Sequence, residues 1–290
     1  MHQRKVYLMG PDTPISDEQY IEDVQQAGSV TVVGVPLDEN SSFLRGPALA
    51  PARIRAVLHA GSMNLTTEDG VDLGARSDWH DRGNLDVGTG EAACAEIERQ
   101  MAALLAAGTR VLTLGGDHSI TFPIMRAVAA VHPSLTIVHI DAHPDLYDEL
   151  DGSRRSHACP FARIMERGLA ARLVQVGIRT MNPHQRQQAE RFGVEVIAMR
   201  DFRPGLSLDL RGPIYVSLDL DAFDPAFAPG VSHHEPGGLS VRDVLQLLAG
   251  IEEPVIGADI VEYNPIRDHA DMTAMVAAKF YKELVGYLLR

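Results

Sequence analysis

The chain has 290 residues, 45% hydrophobic and 22% charged, with a formal net charge of −13, so it can bury a sizeable core without disulfide staples. That acidity argues against nucleic acid as a partner, because phosphate binding needs a concentrated basic surface. Two cysteines without clustered spacing, Cys94 and Cys159, argue against a disulfide framework and a thiolate zinc site, and fit a reducing compartment.

The opening residues, MHQRKVYLMG, lack the apolar core of a secretory signal, and Asp12, Asp17 and Glu18 follow soon after. No apolar run reaches the ~18 residues that span a bilayer. The expectation is a cytoplasmic protein with no membrane partner. From residue 29 onward, short apolar runs rich in β-branched residues alternate with helical patterns. The runs are 29–35, 110–114, 135–140, 172–176, 194–198, 213–218 and 254–261. Helices are predicted over 90–107, 121–131, 184–192, 241–249 and 271–289. Continuous apolar runs suit strands buried on both faces, as in parallel sheets. Ser240, three residues before Asp243, reads as an N-cap signal. Strand–helix alternation along the whole chain predicts one α/β domain over residues 1–290, with a central, mainly parallel sheet.

Reactive residues in open α/β sheets collect just beyond the carboxyl ends of the strands, and four runs here end in unusual sequences. The run at 110–114 leads into Gly115-Gly116-Asp117-His118-Ser119. The run at 135–140 leads into Asp141-Ala142-His143-Pro144-Asp145. The run at 213–218 leads into Asp219-Leu220-Asp221-Ala222-Phe223-Asp224-Pro225, and the last run contains Asp259 and ends at Glu262-Tyr263-Asn264-Pro265.

In an extended chain Asp141, His143 and Asp145 face the same way, and Pro144 favours that geometry in the residue before it. Asp219 and Asp221 repeat the spacing. Carboxylates converging at the end of a buried sheet repel one another and are costly to desolvate, and a cation relieves both problems. With His118 and His143 the set has four Asp and two His, enough for two metals if a carboxylate bridges. A lone Asp-X-Asp is more often a solvated turn, and a lone Gly-Gly-Asp-His a βα turn with its cap; the three segments together, each at a strand end, point to metal. Oxygen donors with two imidazoles and no thiolate favour Mn²⁺ over Mg²⁺ or structural zinc.

These three segments resemble the signature motifs of the ureohydrolase family, which includes arginases, agmatinases, formiminoglutamases and guanidino-acid hydrolases. The resemblance starts at Gly34-Val35-Pro36 and extends to the final helix. It implies a three-layer α/β/α fold, two Mn²⁺ per chain, hydrolysis of a small cationic guanidinium substrate with release of urea, and assembly as a homotrimer or homohexamer. By position, His118, Asp141, Asp145 and Asp219 hold one metal. His143, Asp141, Asp219 and Asp221 hold the other, so Asp141 and Asp219 bridge. The resemblance assigns proton transfer to His157 and guanidinium binding to Glu262, and has Asp145 also hydrogen-bond the attacking water. His59, His80, His132, His139, His184 and His269 read as structural or surface residues. Cys159, near His157, reads as a small buried residue, since it has no oxyanion motif of its own.

The substrate's tail is less plainly written. Where many agmatinase-like members carry Gly-Thr-Gly-Thr-Pro-Glu-Pro-Gly-Gly, this chain has Gly230-Val231-Ser232-His233-His234-Glu235-Pro236-Gly237-Gly238, a variant similar to plant-type arginases. The loop from Asp145 to His157 lacks the Asn/Ser arrangement that animal-type arginases use for the α-carboxylate, which favours agmatine. Arg154 and Arg155 favour arginine, if they pair with a carboxylate, though solvated loop charges are the commoner case. The expectation is agmatine, with arginine or another guanidino acid as the alternative. Two other classes are weighed as well. A single-zinc deacetylase on the same fold has no use for the second carboxylate pair, and a non-catalytic relative is expected to have lost ligands that are all present here.

Overall fold

The computed structural model describes residues 29–290; the N-terminal stretch inspected for a secretory signal lies outside them. Each predicted apolar run becomes a strand: β1 (Val30–Gly34), β3 (Arg110–Leu114), β4 (Thr136–Ile140), β5 (Arg172–Ile178), β6 (Glu195–Ala198), β7 (Ile214–Asp219) and β8 (Val255–Val261). No apolar run marks β2 (Trp79–Asn84), because this edge strand is polar and only partly covered. The sheet order is β2-β1-β3-β8-β7-β4-β5-β6, and every pairing is parallel where a mainly parallel sheet was expected.

Successive side chains alternate between the two faces of a strand, so both faces of this sheet need cover. On one face Val32, Leu112, Val138 and Val216 pack against Ile54, Leu248 and Leu284 from α1 (Ala50–Leu58), α6 (Val241–Ala249) and α7 (Met272–Leu288). On the other, Val111, Ile137, Leu173 and Tyr215 meet Ile97, Ile124, Phe161 and Ala189 from α2 (Glu91–Ala106), α3 (Thr121–Val131), α4 (Pro160–Glu166) and α5 (Pro183–Phe192). The layers are therefore α/β/α. The N-cap signal is realised in α6, where Ser240 and Asp243 form a reciprocal capping box.

One step nearer the carboxyl ends, the α2–α5 face of the sheet turns polar. Thr113, Asp259, Ser217, His139 and Gln175 are register neighbours across five adjacent strands, and all are fully buried. Buried polar groups need partners, and this row lies directly beneath the four motif-bearing strand ends.

Candidate metal centre

β3, β8, β7 and β4 are far apart in sequence but contiguous in the sheet, so their carboxyl ends deliver the four motifs to one place. After β3 the chain must turn under the 36–38 segment. A Cβ on Gly116 would sit 1.7 Å from the Leu37 carbonyl oxygen, so only glycine allows this approach. Asp117 then accepts from the backbone N–H groups of Ser119 at 3.1 Å and Asn40 at 3.0 Å. This clamp presents His118 to the centre.

His118 Nδ1 lies 3.0 Å from Asp219 Oδ2, 3.1 Å from Asp145 Oδ2 and 3.2 Å from Asp141 Oδ2. His143 Nδ1 lies 3.0 Å from Asp221 Oδ2 and 3.5 Å from Asp141 Oδ1. Asp141 thus faces both imidazoles, one with each oxygen. Asp145 and Glu262 hold backbone φ angles of 50° and 63°, a left-handed conformation unfavourable for acidic side chains and found disproportionately at functional sites. The backbone pays for aiming two carboxylates inward.

Proton positions in the polar row decide what His118 can do. The Ser217 hydroxyl donates to Asp259 Oδ1 at 2.7 Å, and Asp259 Oδ2 also accepts from Thr121 and Tyr215. Ser217 Oγ is then left to accept from His118 Nε2–H at 2.9 Å, which directs the Nδ1 lone pair at the three carboxylates. Without a proton that nitrogen is a lone pair facing three anionic oxygens, so the position calls for a proton or a metal cation.

The electrostatics agree. Burial opposes charge on His118, but its hydrogen bonds to Asp141, Asp145 and Asp219 outweigh that and hold its pKa well above the ordinary imidazole value. His143 is raised in the same way, against burial, by Asp221 and Asp141. Burial, then the charges of Asp221 and Asp141, pushes the Asp219 carboxyl well above the usual carboxylate range. Asp221 is pushed up to about 6, mainly by burial. Asp141 is the exception, held ionised against burial by His139, His118 and His143. Around it, a cluster in which both imidazoles and the Asp219 and Asp221 carboxyls take up protons is short of positive charge, and divalent cations supply it by replacing those protons. The donors form two groups that share Asp141: His118, His139, Asp141 and Asp145; and Asp141, His143 and Asp221. Asp219 adds its contact with His118, so all six expected ligands converge and fit a metal pair.

Beside them, His157 Nδ1 lies 2.8 Å from Glu262 Oε1 and His157 Nε2 lies 2.8 Å from Ser42 Oγ. Burial opposes protonation of His157, but Glu262 overrides it and pushes the pKa up to about 9. Burial raises Glu262, and the charge and hydrogen bond of His157 bring it below its ordinary value. Glu262 Oε1 also accepts from the His118 backbone N–H at 2.9 Å, which ties the His157–Glu262 pair to the cluster.

Two histidines need correcting or adding. His139, read from sequence as structural, lies inside the cluster with Nε2 2.7 Å from Asp141 Oδ2; its place on β4, two residues before Asp141, was the available signal. His233 packs its ring 5.3 Å from that of His157 and 5.8 Å from that of His143, with its Nε2 buried and unpartnered. The altered first half of the 230–238 stretch was the clue to it. Arg154 is held in ion pairs with Asp148 and Glu166 at 2.9 Å, whereas the Arg155 guanidinium makes a looser 3.4 Å contact with Glu91.

A parallel α/β/α sheet with an imidazole–carboxylate cluster at the ends of its central strands gives the chain the donor set of a metal-site protein. A family model described as "Arginase family" matches residues 28–286. "Arginase 1, mitochondrial" of Arabidopsis thaliana is 48% identical over 275 residues, covering 89% of this chain and 80% of that protein. The agmatinase of Bacillus anthracis is 32% identical over 271 residues, covering 90% and 92%. The solved arginase from Medicago truncatula superposes with a TM-score of 0.84 at 42% identity, covering 90% of this chain and 88% of that one. The chain belongs to the arginase family, the ureohydrolases, whose members hydrolyse C–N bonds of guanidino substrates. No helix among the described residues is long and apolar enough to cross a membrane.

Proposed function

We propose that this one-domain chain hydrolyses arginine to ornithine and urea with two Mn²⁺ ions per chain. The observation that carries arginine over agmatine is similarity: 48% identity with a plant arginase against 32% with a bacterial agmatinase, at nearly equal coverage. This replaces the preference for agmatine drawn from the 146–156 loop. The loop geometry is compatible with the change. Arg154 is spent on Asp148 and Glu166, while Arg155 is loosely held. Arg155 lines a cleft of about 860 Å³ together with Asn40 and Ser156, and its guanidinium is suited to an α-carboxylate.

His118, Asp141, Asp145 and Asp219 would hold one ion, and His143, Asp141, Asp219 and Asp221 the other. Bound there, the pair supplies a polarised water with a lowered pKa, a nucleophile near neutral pH. Glu262 receives the guanidinium N–H groups in charge-assisted hydrogen bonds and presents the planar carbon for attack. Asp145 accepts a hydrogen bond from the attacking water and sets its direction. The C–N bond to the substrate's tail then breaks, and the departing amine needs a proton. His157 carries one on Nδ1, 2.8 Å from Glu262 Oε1, and its raised pKa keeps that proton available above neutral pH.

The test is urea release with Mn²⁺ on arginine, agmatine, guanidinobutyrate and formiminoglutamate side by side. Arginine is expected to have the highest kcat/KM. A preference for agmatine overturns the tail assignment alone, and no turnover of any of the four overturns the assignment of the head. We further propose a closed homotrimer or homohexamer; light scattering at the 31.6 kDa of a single chain contradicts it.

A further inference from the structure

We infer that His139 and Gln175 form a positioning pair that fixes the orientation of the shared carboxylate Asp141; the inference rests on the two-metal reading above. The pair lies in the polar row of the sheet, where His139 on β4 and Gln175 on β5 are register partners and both are fully buried.

The proton positions follow from one acceptor. Gln175 Nε2 lies 2.7 Å from the Pro144 carbonyl oxygen. A carbonyl oxygen can only accept, so the amide nitrogen, not its oxygen, must face it. The same nitrogen lies 3.0 Å from His139 Nδ1 and spends its second hydrogen there. His139 Nδ1 is therefore an acceptor and carries no proton. The ring's proton sits on Nε2, 2.7 Å from Asp141 Oδ2, and is donated to that carboxylate. A buried Gln175 Oε1 with no partner among the described residues marks the same constraint. Turning the amide over would satisfy that oxygen's need for a partner poorly and set two acceptors 2.7 Å apart at Pro144. Phe161 stacks on the His139 ring with centroids 3.8 Å apart and holds its plane.

The consequence falls on Asp141. Its Oδ2 receives His139, and its Oδ1 receives the His143 backbone N–H at 2.6 Å. With each oxygen held by a fixed donor, the carboxylate cannot rotate, and its remaining lone pairs project toward His118 and His143, where the two ions are proposed to sit. Pro144 belongs to the Asp141–Asp145 motif itself, so the relay from Pro144 through Gln175 and His139 returns to the motif and locks its shape. Partners of this kind orient metal ligands, and their loss typically weakens metal binding by about 10- to 100-fold.

The test is a Mn²⁺ titration, with free ion read by electron paramagnetic resonance, alongside thermal melting. His139→Phe keeps the stack on Phe161 but has no donor. It should melt near the parent temperature and bind Mn²⁺ about 10- to 100-fold more weakly. His139→Gln restores an N–H donor and should recover most of that loss. A packing role predicts the opposite order, with the Phe variant binding like the parent and the Gln variant impaired, and that order overturns the inference. If His139→Phe does not fold, Gln175→Leu serves instead. It leaves the imidazole in place but frees its tautomer, so weaker Mn²⁺ binding supports the pair and parental affinity overturns it. A parent protein that binds no Mn²⁺ overturns the two-metal reading and this inference together. Two ions per chain in the parent, with a His139→Phe variant that binds as tightly, overturns the inference alone.

Discussion

The rim formed by the ends of β3, β8, β7 and β4 and the cleft beside the 152–155 turn are neighbours built on opposite terms. At the rim, Asp141, Asp145, Asp219, Asp221 and His118 are buried and hydrogen-bonded to strand ends or to one another. In the cleft, the Arg154 and Arg155 side chains are 46% and 53% exposed, and the Glu91 partner of Arg155 is 90% exposed. Bond-breaking chemistry needs charges held in fixed places away from water, where they act strongly. Recognition of a tail tolerates solvent and sits on loops that can change without disturbing the core. Substitutions at the rim should therefore act on every substrate, and substitutions in the cleft on one.

The largest effect is expected for Asp141→Ala, which removes the carboxylate facing both imidazoles and proposed to serve both ions. Metal content should fall well below two per chain, and urea release should lose several kcal/mol of stabilisation, about a thousandfold or more. Elemental analysis with a urea assay checks it, and a variant that keeps both ions and half its activity would break the claim that the rim acts as one unit.

Next comes His157→Ala, which leaves the ligands in place. Turnover should drop by about 10²- to 10⁴-fold with metal content unchanged. Activity equal to the parent across pH 7 to 10 would remove His157 from proton transfer.

Glu262→Gln keeps the shape and removes the charge. It should lower kcat/KM for arginine and agmatine together by about ten- to a hundredfold. It also removes the group that raises His157 against burial to about 9. Because the imidazolium exists below its pKa, the high-pH limb of kcat should move to lower pH in this variant. The stability that comes from a raised His157 is fully present below its ordinary value of 6.5 and is lost as pH rises through about 9, so the parent and variant melting curves should converge above that point. A high-pH limb that stays in place contradicts the coupling.

The smallest effect is the one that separates the two regions. Arg155→Ala should raise KM for arginine by about fivefold or less, the scale of an exposed ion pair, and leave agmatine unaffected. Arg154→Ala should shift both substrates alike, because that side chain anchors the loop to Asp148 and Glu166. A KM for arginine that does not respond to Arg155 would mean that the cleft does not read the carboxylate.

Much of this protein is legible along the chain. The unbroken apolar runs foretold seven of the eight described strands. Six of these lie inside the sheet, where a strand covered on both faces has no polar side to show, and the seventh, β6, is a partly buried edge whose run is apolar all the same. The exception, β2, is an edge strand whose Trp-His-Asp-Arg-Gly-Asn sequence is half in water, so its apolar signal is absent. The alternation of Asp141, His143 and Asp145, and of Asp219 and Asp221, announced a cation, since like charges at adjacent strand ends need one. Tail specificity was not legible. Whether Arg154 or Arg155 is free depends on Asp148 within the loop and on Glu166 of α4 and Glu91 of α2, which the fold brings to it.

Local sequence thus determined the period of each element, the glycine under Leu37 and the donor types at the strand ends. Only the tertiary structure decided which strands lie side by side: β3, β8, β7 and β4 adjoin because crossovers place them so, and nothing within any one strand specifies its neighbour. The same holds for His139. By itself it is a histidine inside an apolar run, with nothing in that run to say which nitrogen carries the proton; beside Gln175 and beneath Asp141 its tautomer is set, because the hydrogen bonds that place its proton come from two other parts of the chain.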